Sequence, residues 1–142
     1  MAVLFGIARG VAVIVSPQRK GPVILCVEDE PSLLELRKLQ FEGAGYDVLA
    51  AASPEEALEA FATEHVDLVF TDYLLPRING AELASRMKQL KPDVPIVLTS
   101  GVLECPEDAT GVVDLFVAKP TDTGELISAI AALLPPAQRY GT

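Results

Sequence analysis

The sequence predicts a doubly wound α/β domain, in which helices cover both faces of a parallel sheet. Short runs of apolar and β-branched residues alternate along the chain with segments of helical periodicity, the pattern of repeated βα units. The run at Val23–Val27 is continuously apolar, as expected for a central strand buried on both faces. Polar residues suited to chemistry follow the ends of the predicted strands, where open parallel sheets bind ligands.

Length and composition limit the number of domains and the class of partner. A chain of 142 residues suits one compact domain, and 50% hydrophobic with 22% charged residues is typical of a globular protein. The formal net charge of -9 disfavours unspecific binding to nucleic acid, whose phosphates it repels. Cys26 and Cys105 lack metal-ligand spacing, so we expect reduced thiols in a cytoplasmic protein.

Residues 1–22 form an apolar extension whose role the sequence leaves open. Its two apolar runs are interrupted by Arg9 and do not have the charge order of a signal peptide. They are also shorter than the about 20 apolar residues that span a bilayer, so we expect no membrane insertion. An added strand, a contact surface and a misassigned start codon are the alternatives. We assign residues 23–135 to the domain and 136–142 to a short tail.

The first helix follows the strand at Val23–Val27. Pro31 and Ser32, with Glu35 three residues on, predict its start, and Gly43 and Gly45 mark its end. Its predicted apolar face consists of Leu33, Leu34, Leu36, Leu39 and Phe41. Residues 46–51 are the second strand. The sequence Ser53-Pro54-Glu55-Glu56 then forms a capping box, with proline at the first position of the second helix.

The third strand, residues 66–71, ends at Asp72. Asn79, with Glu82 three residues later, predicts the cap of a third helix that buries Leu83, Met87 and Leu90. The fourth strand is expected at 94–99, the fifth at 115–118 and the last helix at 122–134. Proline and glycine between residues 101 and 114 leave room only for a short or irregular fourth helix. The prediction is therefore five strands and five helices, with strand order 2-1-3-4-5.

The polar residues at the strand ends are expected to converge on one edge of the sheet: Glu28, Asp29, Glu30, Asp72, Thr99, Ser100 and Lys119. Glu30 is expected to serve the helix N-terminus instead of a site. Neighbouring carboxylates repel, and a divalent cation removes that cost. Magnesium prefers such oxygen ligands. We predict a Mg2+ site formed by Asp29, Asp72, the backbone carbonyl of Leu74 and, through water, Glu28.

An ionised aspartate is also a nucleophile toward phosphorus. Asp72 is the candidate phosphoacceptor, Lys119 would pair with its carboxylate and then with the phosphoryl oxygens, and a hydroxyl at the end of the fourth strand would donate to the phosphoryl group. Such a site achieves phosphoryl transfer by positioning and electrostatics.

These residues resemble the receiver domains of two-component response regulators, including the chemotaxis-type single-domain members. The resemblance covers residues 22–134 and consists of four segments in the order and spacing of the family: Ile24-Leu25-Cys26-Val27-Glu28-Asp29-Glu30, Asp72-Tyr73-Leu74-Leu75-Pro76-Arg77-Ile78-Asn79-Gly80, Pro95-Ile96-Val97-Leu98-Thr99-Ser100-Gly101 and Val117-Ala118-Lys119-Pro120. It implies a flavodoxin-like fold and Mg2+-dependent phosphorylation of Asp72 by a histidine kinase or histidine phosphotransfer protein.

The resemblance also assigns further roles. Ser100 is the expected switch hydroxyl, with Thr99 as the alternative, Phe116 is the switch aromatic, and the proline after Lys119, Pro120, is often cis in the family. The only catalysis expected is self-catalysed phosphotransfer and dephosphorylation. The residues after Pro136 are too few for an output domain, so output is expected through contacts with an unknown downstream protein, from a monomer or weak homodimer.

Two alternatives stay open. The first is a degenerate receiver acting as an unphosphorylated interaction module, and the intact Asp29, Asp72 and Lys119 weigh against it. Glu28 replaces the more usual aspartate without removing a required group, whereas Phe116, which lacks the hydroxyl of a tyrosine, and the short segment before it make the output face less certain than the phosphorylation site. A flavin carrier or phosphoesterase on the same type of sheet is the other. The latter needs a phosphate-cradling loop of Gly, Ser and Thr after the first strand, whereas this chain has Glu-Asp-Glu-Pro there.

Overall fold

A computed structural model describes residues 3–8, 11–15, 21–102, 104–119 and 122–134. From residue 23 onward, helices and strands alternate along the chain. The elements are β3 (Val23–Val27), α1 (Pro31–Gly43), β4 (Asp47–Ala51), α2 (Pro54–Thr63), β5 (Leu68–Asp72), α3 (Gly80–Leu90), β6 (Ile96–Ser100), a 3-10 turn (Glu107–Ala109), β7 (Leu115–Ala118) and α4 (Thr123–Leu133), preceded by β1 (Val3–Ala8) and β2 (Val11–Val15).

Strands β3 to β7 form one parallel sheet in the order β4-β3-β5-β6-β7. Counted from β3, this is the predicted order 2-1-3-4-5, and it confirms the flavodoxin-like doubly wound fold. The three central strands β3, β5 and β6 are buried along their whole length, which explains their continuous apolar runs. The order reverses between β3 and β5, so the carboxyl ends of these two strands border the crevice in which such sheets bind ligands.

Two apolar clusters fill the spaces between the sheet and its helices. One lies under α2 and α3 and includes Phe61, Leu83 and Met87. The other lies under α1 and α4, where the rings of Phe41 and Phe70 meet edge to face with centroids 5.3 Å apart. Because both faces are covered, the chemistry of the domain is confined to the edge of the sheet.

Residues 3–8 and 11–15 of the N-terminal extension are strands, which leaves the role of the extension open. Strands β1 and β2 pair antiparallel as a separate two-stranded sheet, from Val3 opposite Val15 to Ala8 opposite Val11. The pairing is irregular between Leu4 and Ile7. The tail at 136–142 lies outside the described residues. None of the helices in the described ranges has the length and apolar character needed to cross a bilayer.

Most helix caps follow the prediction. Ser53 accepts from the N–H of Glu56, and Asn79 accepts from the N–H of Glu82 at 2.9 Å. The first helix differs, because Glu30 caps it instead of a Ser32–Glu35 box. The carboxylate of Glu30 accepts from the N–H groups of Ser32 and Leu33, and these bonds confirm that this residue serves the helix terminus.

Three leucines predicted to be buried are exposed: Leu36, Leu39 and Leu90. Helix α1 packs through Leu34 and Phe41, and at 3.6 residues per turn Leu36 and Leu39 fall on the opposite side of that helix. Leu90 is the last residue of α3, where the helix has passed beyond the edge of the core. The predicted fourth helix is reduced to the three-residue 3-10 turn, so the described residues contain four α-helices.

The loop after β5 turns back so that Gly80 lies directly against the end of that strand. A Cβ at this position would lie 2.3 Å from the carbonyl oxygen of Asp72 and 2.7 Å from Leu98 Cδ1. We expect Gly80→Ala to lower the free energy of unfolding by about 2 kcal/mol or more, because neither backbone nor packed core can move aside. Gly43→Ala is the matched control, since its Cβ meets nothing within 4 Å, and it should be neutral or stabilising by up to about 1 kcal/mol. Urea denaturation of both variants checks this; equal midpoints would contradict the close approach.

The two free cysteines differ in environment. Cys26 is buried in β3, and this burial raises the pKa of its thiol to about 12, whereas Cys105 is half-buried in a loop. We expect a maleimide at pH 7.5 to label the native protein once, at Cys105, because Cys26 is both inaccessible and protonated. Peptide mapping of native and urea-unfolded protein measures this, with labelling of both cysteines expected only after unfolding. Rapid labelling of native Cys26 would show that β3 is not buried as described.

Candidate functional site

Four strands bring polar residues to one edge of the sheet. Asp72 ends β5 and Ser100 ends β6, while Glu28 and Lys119 directly follow β3 and β7. The register places Asp72 beside Thr99, and Ser100 beside Ala118. The residues predicted from separate segments of the sequence therefore lie at one level, as convergent strand ends require.

Three carboxylates form the acidic part of the site. Glu28, Asp29 and Asp72 each offer an oxygen, and these oxygens lie within 4.8 Å of one another. Glu28 and Asp72 are buried, with relative exposures of 5% and 8%, whereas Asp29 is exposed. A cluster of hard oxygen donors, partly buried and open on one side, matches the ligand preference of Mg2+.

Lys119 is the cation at this edge. Its Nζ donates to Asp72 Oδ2 at 3.2 Å and lies 3.7 Å from Glu28 Oε1. Its backbone N–H donates to the carbonyl of Ser100 at 2.7 Å, which fixes the start of the segment after β7 beside β6. One positive charge thus serves two buried carboxylates. Pro120, expected in the cis form, lies outside the described residues.

The environment of Glu28 changes its acidity. Burial, chiefly, raises the pKa of Glu28 to about 7, and the nearby Asp72 carboxylate adds to the increase. The N–H of Glu30, which donates to Glu28 Oε2 at 3.1 Å, and the ammonium of Lys119 act in the opposite direction. A divalent cation among these oxygens would relieve the same repulsion, so the residues present fit the predicted ion.

Two hydroxyls lie next to the carboxylates. Thr99 and Ser100 are both almost fully buried. Ser100 Oγ accepts a long bond of 3.5 Å from the N–H of Val102, whereas Thr99 Oγ1 has no hydrogen-bond partner among the described residues. Successive residues of a strand face opposite sides of the sheet, so the two hydroxyls are not interchangeable.

The loop between β5 and α3 carries Leu74, whose side chain is exposed. Arg77 in this loop has a positive φ of 72°, and its guanidinium forms a two-pronged ion pair with Glu55 at the start of α2. That pairing holds the pKa of Glu55 well below its usual range. The sequence contained no signal for this contact, because the two residues belong to different βα units.

A second unanticipated contact joins this loop to the 3-10 turn. The hydroxyl of Tyr73 donates to Asp108 at 3.1 Å, and Asn79 Nδ2 donates to the same carboxylate at 3.0 Å. The ring of Tyr73 packs, together with Phe116, against a small buried cluster that contains Leu98. Tyr73 lies directly after the candidate phosphoacceptor, and no spacing rule relates it to a residue 35 positions away.

Comparison with known sequences identifies relatives of this chain. Residues 24–131 match the family model described as the response regulator receiver domain. The chain is 33% identical over 114 residues to the alkaline phosphatase synthesis transcriptional regulatory protein PhoP of Bacillus subtilis, covering 78% of this chain and 48% of that protein. It is 32% identical over 119 residues to the phosphate regulon transcriptional regulatory protein PhoB of Pseudomonas aeruginosa, covering 80% and 52%. The chain thus spans about half the length of these curated relatives.

Solved structures give the same result. The response regulator TrrA of Thermotoga maritima, crystallised in complex with Mg2+-BeF, superposes with a TM-score of 0.75 at 33% identity, covering 80% of this chain and 99% of that one. A CheY-like receiver domain protein of Methanospirillum hungatei superposes with a TM-score of 0.72 at 27% identity, covering 77% and 90%. With the fold, the acidic edge and the family match in agreement, this chain belongs to the response regulator receiver domain family of two-component systems.

Proposed function

We propose that this receiver domain accepts a phosphoryl group on Asp72 from a histidine kinase or histidine phosphotransfer protein, and signals through contacts with a downstream protein. Residues 23–135 are the phosphoaccepting unit in this proposal. The observation that carries it is the position of Asp72, a buried carboxylate 3.2 Å from the Lys119 ammonium and beside the oxygens of Glu28 and Asp29. A purely structural ion pair would not need two further carboxylates at its side.

In the proposed reaction, one carboxylate oxygen of Asp72 attacks phosphorus. A P–O bond to Asp72 forms while the P–N bond of the donor phosphohistidine breaks, and the imidazole leaves with the bonding pair and takes up a proton. Lys119 neutralises Asp72 before transfer and is within reach of the phosphoryl oxygens after it. Ser100, or Thr99 as the alternative, donates its hydroxyl to the new phosphoryl group.

Mg2+ is the proposed cofactor. Asp29 and Asp72 would hold it directly, with the Leu74 carbonyl as a further ligand and Glu28 acting through water. When bound, the ion would offset the charge of the carboxylates and of the incoming phosphoryl oxygens. The Mg2+-BeF complex of the Thermotoga maritima relative supports this assignment, since the acidic cluster lies in the same fold at 33% identity.

Output is proposed to follow from a population shift around Ser100 and Phe116. Phe116 is half-buried and packs against Leu98 and Ala109, next to the 3-10 turn. Rearrangement of this region on phosphorylation would alter the surface offered to a partner.

Intact-mass measurement after incubation with an acyl phosphate and Mg2+ tests the phosphoacceptor directly. We expect wild-type protein to gain one phosphoryl group, and Asp72→Asn to gain none, because the amide is not a nucleophile toward phosphorus. Asp93→Asn is the matched control, an exposed aspartate in the turn between α3 and β6, and it should behave like wild type. Omission of Mg2+ should abolish the gain.

If wild-type protein gains no phosphoryl group from either an acyl phosphate or a panel of phosphorylated histidine kinases, the proposal is wrong. The degenerate receiver, which works as an unphosphorylated interaction module, would then account for the family membership.

The raised pKa of Glu28 predicts pH-dependent metal binding. A group with a pKa of about 7 is protonated below that pH, and protons then compete with Mg2+ for the site. We expect Mg2+ affinity, measured by isothermal titration calorimetry, to fall by about tenfold between pH 8 and pH 6, the change that one competing proton with a pKa of about 7 produces.

The variant Glu28→Gln should bind Mg2+ more weakly and lose most of this pH dependence. Glu35→Gln, an exposed glutamate on α1, should keep the wild-type profile. An unchanged profile in Glu28→Gln would assign the competing proton to another group.

A further inference from the structure

Tyr73 connects the phosphoacceptor strand to the 3-10 turn. It follows Asp72 directly, and its hydroxyl donates to Asp108 Oδ1 at 3.1 Å. Asn79 completes a three-membered network, since its Nδ2 donates to the same carboxylate at 3.0 Å and lies 3.3 Å from the tyrosine hydroxyl. Two residues of the β5–α3 loop are thereby bonded to one residue of a segment 29 to 35 positions away.

The ring of Tyr73 lies against apolar side chains, while its hydroxyl bonds to this carboxylate. It packs against the buried cluster of Ala81, Leu98 and Ala109, beside Cys105 and Phe116. The Tyr73 hydroxyl donates to the Asp108 carboxylate, and this bond joins the turn to the loop before α3.

The backbone leaves little freedom between Asp72 and the Tyr73 ring. The N–H of Tyr73 donates to the carbonyl of Thr99 at 2.8 Å, and its carbonyl accepts from Gly80 at 2.7 Å. Gly80 itself approaches so closely that a Cβ would meet the Asp72 carbonyl. The backbone directly after Asp72 is therefore tied both to β6 and to the start of α3.

The 3-10 turn is bonded to the loop after β5 through one side chain. Within the turn, Ala109 bonds to Pro106 and Thr110 to Glu107, and the Ala109 carbonyl accepts from the N–H groups of Val112 and Val113. In the described part of the chain, Asp108 is the residue of this turn whose side chain bonds to another element, through Tyr73 and Asn79. Displacement of these two bonds would therefore change how the turn is held.

We propose that the Tyr73 hydroxyl is the link through which the charge state of Asp72 changes the arrangement of residues 104–110. Phe116 has no hydroxyl to play this part, and Tyr73 supplies a hydrogen-bonded aromatic side chain from the loop after β5. Tyr73 is a positioning residue in this scheme, acting through Asp108. The link rests on the proposed function only in that phosphorylation is the natural cause of the charge change.

Neutralisation of Asp72 by mutation provides a test that needs no phosphorylation. Amide spectra would be compared with and without Asp72→Asn in four backgrounds: wild type, Tyr73→Phe, Asp108→Ala and Glu107→Ala. Tyr73→Phe removes one oxygen and keeps the packed ring. Glu107→Ala is the matched control, because it removes an exposed carboxylate from the same turn, one that makes no bond to Tyr73.

We expect Asp72→Asn to shift the backbone amide resonances at positions 107 to 109 in the wild-type and Glu107→Ala backgrounds, and these shifts to be lost in Tyr73→Phe and Asp108→Ala. Shifts that persist in either of those two variants, or an absence of shifts in wild type, would overturn the link.

The same spectra recorded after addition of Mg2+ and beryllium fluoride separate this inference from the proposed function. If the phosphoryl mimic leaves the wild-type resonances around Asp72 unchanged and no mass gain is found, phosphoacceptance is wrong. The Asp72→Asn comparison still decides whether Tyr73 couples the strand to the turn.

Discussion

One lysine shared between two buried carboxylates is the interaction on which the site depends. Lys119 lies 3.2 Å from Asp72 and 3.7 Å from Glu28, and the third carboxylate, Asp29, is within the same cluster. Burial is the main cause of the raised pKa of Glu28, and the Asp72 carboxylate adds to it. Additional positive charge at this edge would reduce the repulsion among the three carboxylates, which is the physical reason that a divalent cation would suit the cluster.

The parallel sheet is what allows this concentration of charge. Strands β3, β5 and β6 are buried on both faces, and the polar side chains of the site lie at their carboxyl ends. The helices on each face supply the apolar cover, and their caps are satisfied locally by Glu30, Ser53, Asn79 and Asp122. Stability therefore comes from the apolar clusters, and the three neighbouring carboxylates lie at the carboxyl edge of the sheet.

Much of this arrangement can be predicted from the sequence, because the strands and the residues at their ends are marked by short local patterns. Val23–Val27 and 115–118 are strands in both prediction and structure, because continuous apolar runs of that length leave little ambiguity. Asp29, Asp72 and Lys119 could be grouped because strand ends converge by topology. The exposure of Leu36 and Leu39 on α1 could not be predicted from the sequence, because a leucine-rich helix has more apolar residues than one face can bury. Contacts such as Arg77–Glu55 and Tyr73–Asp108 join segments whose proximity only the folded chain creates.

The reduced fourth helix has a consequence for where the domain is least rigid. Helices α1 to α4 contain 10 to 13 residues each, whereas the cover between α3 and β7 is a three-residue turn with one buried side chain. The turn covers Leu98 with Ala109, and Leu98 lies on the strand next to that of Asp72. Because opening a segment that buries so little apolar surface costs less free energy than opening a whole helix, we expect the sheet to be least protected from solvent over this strand.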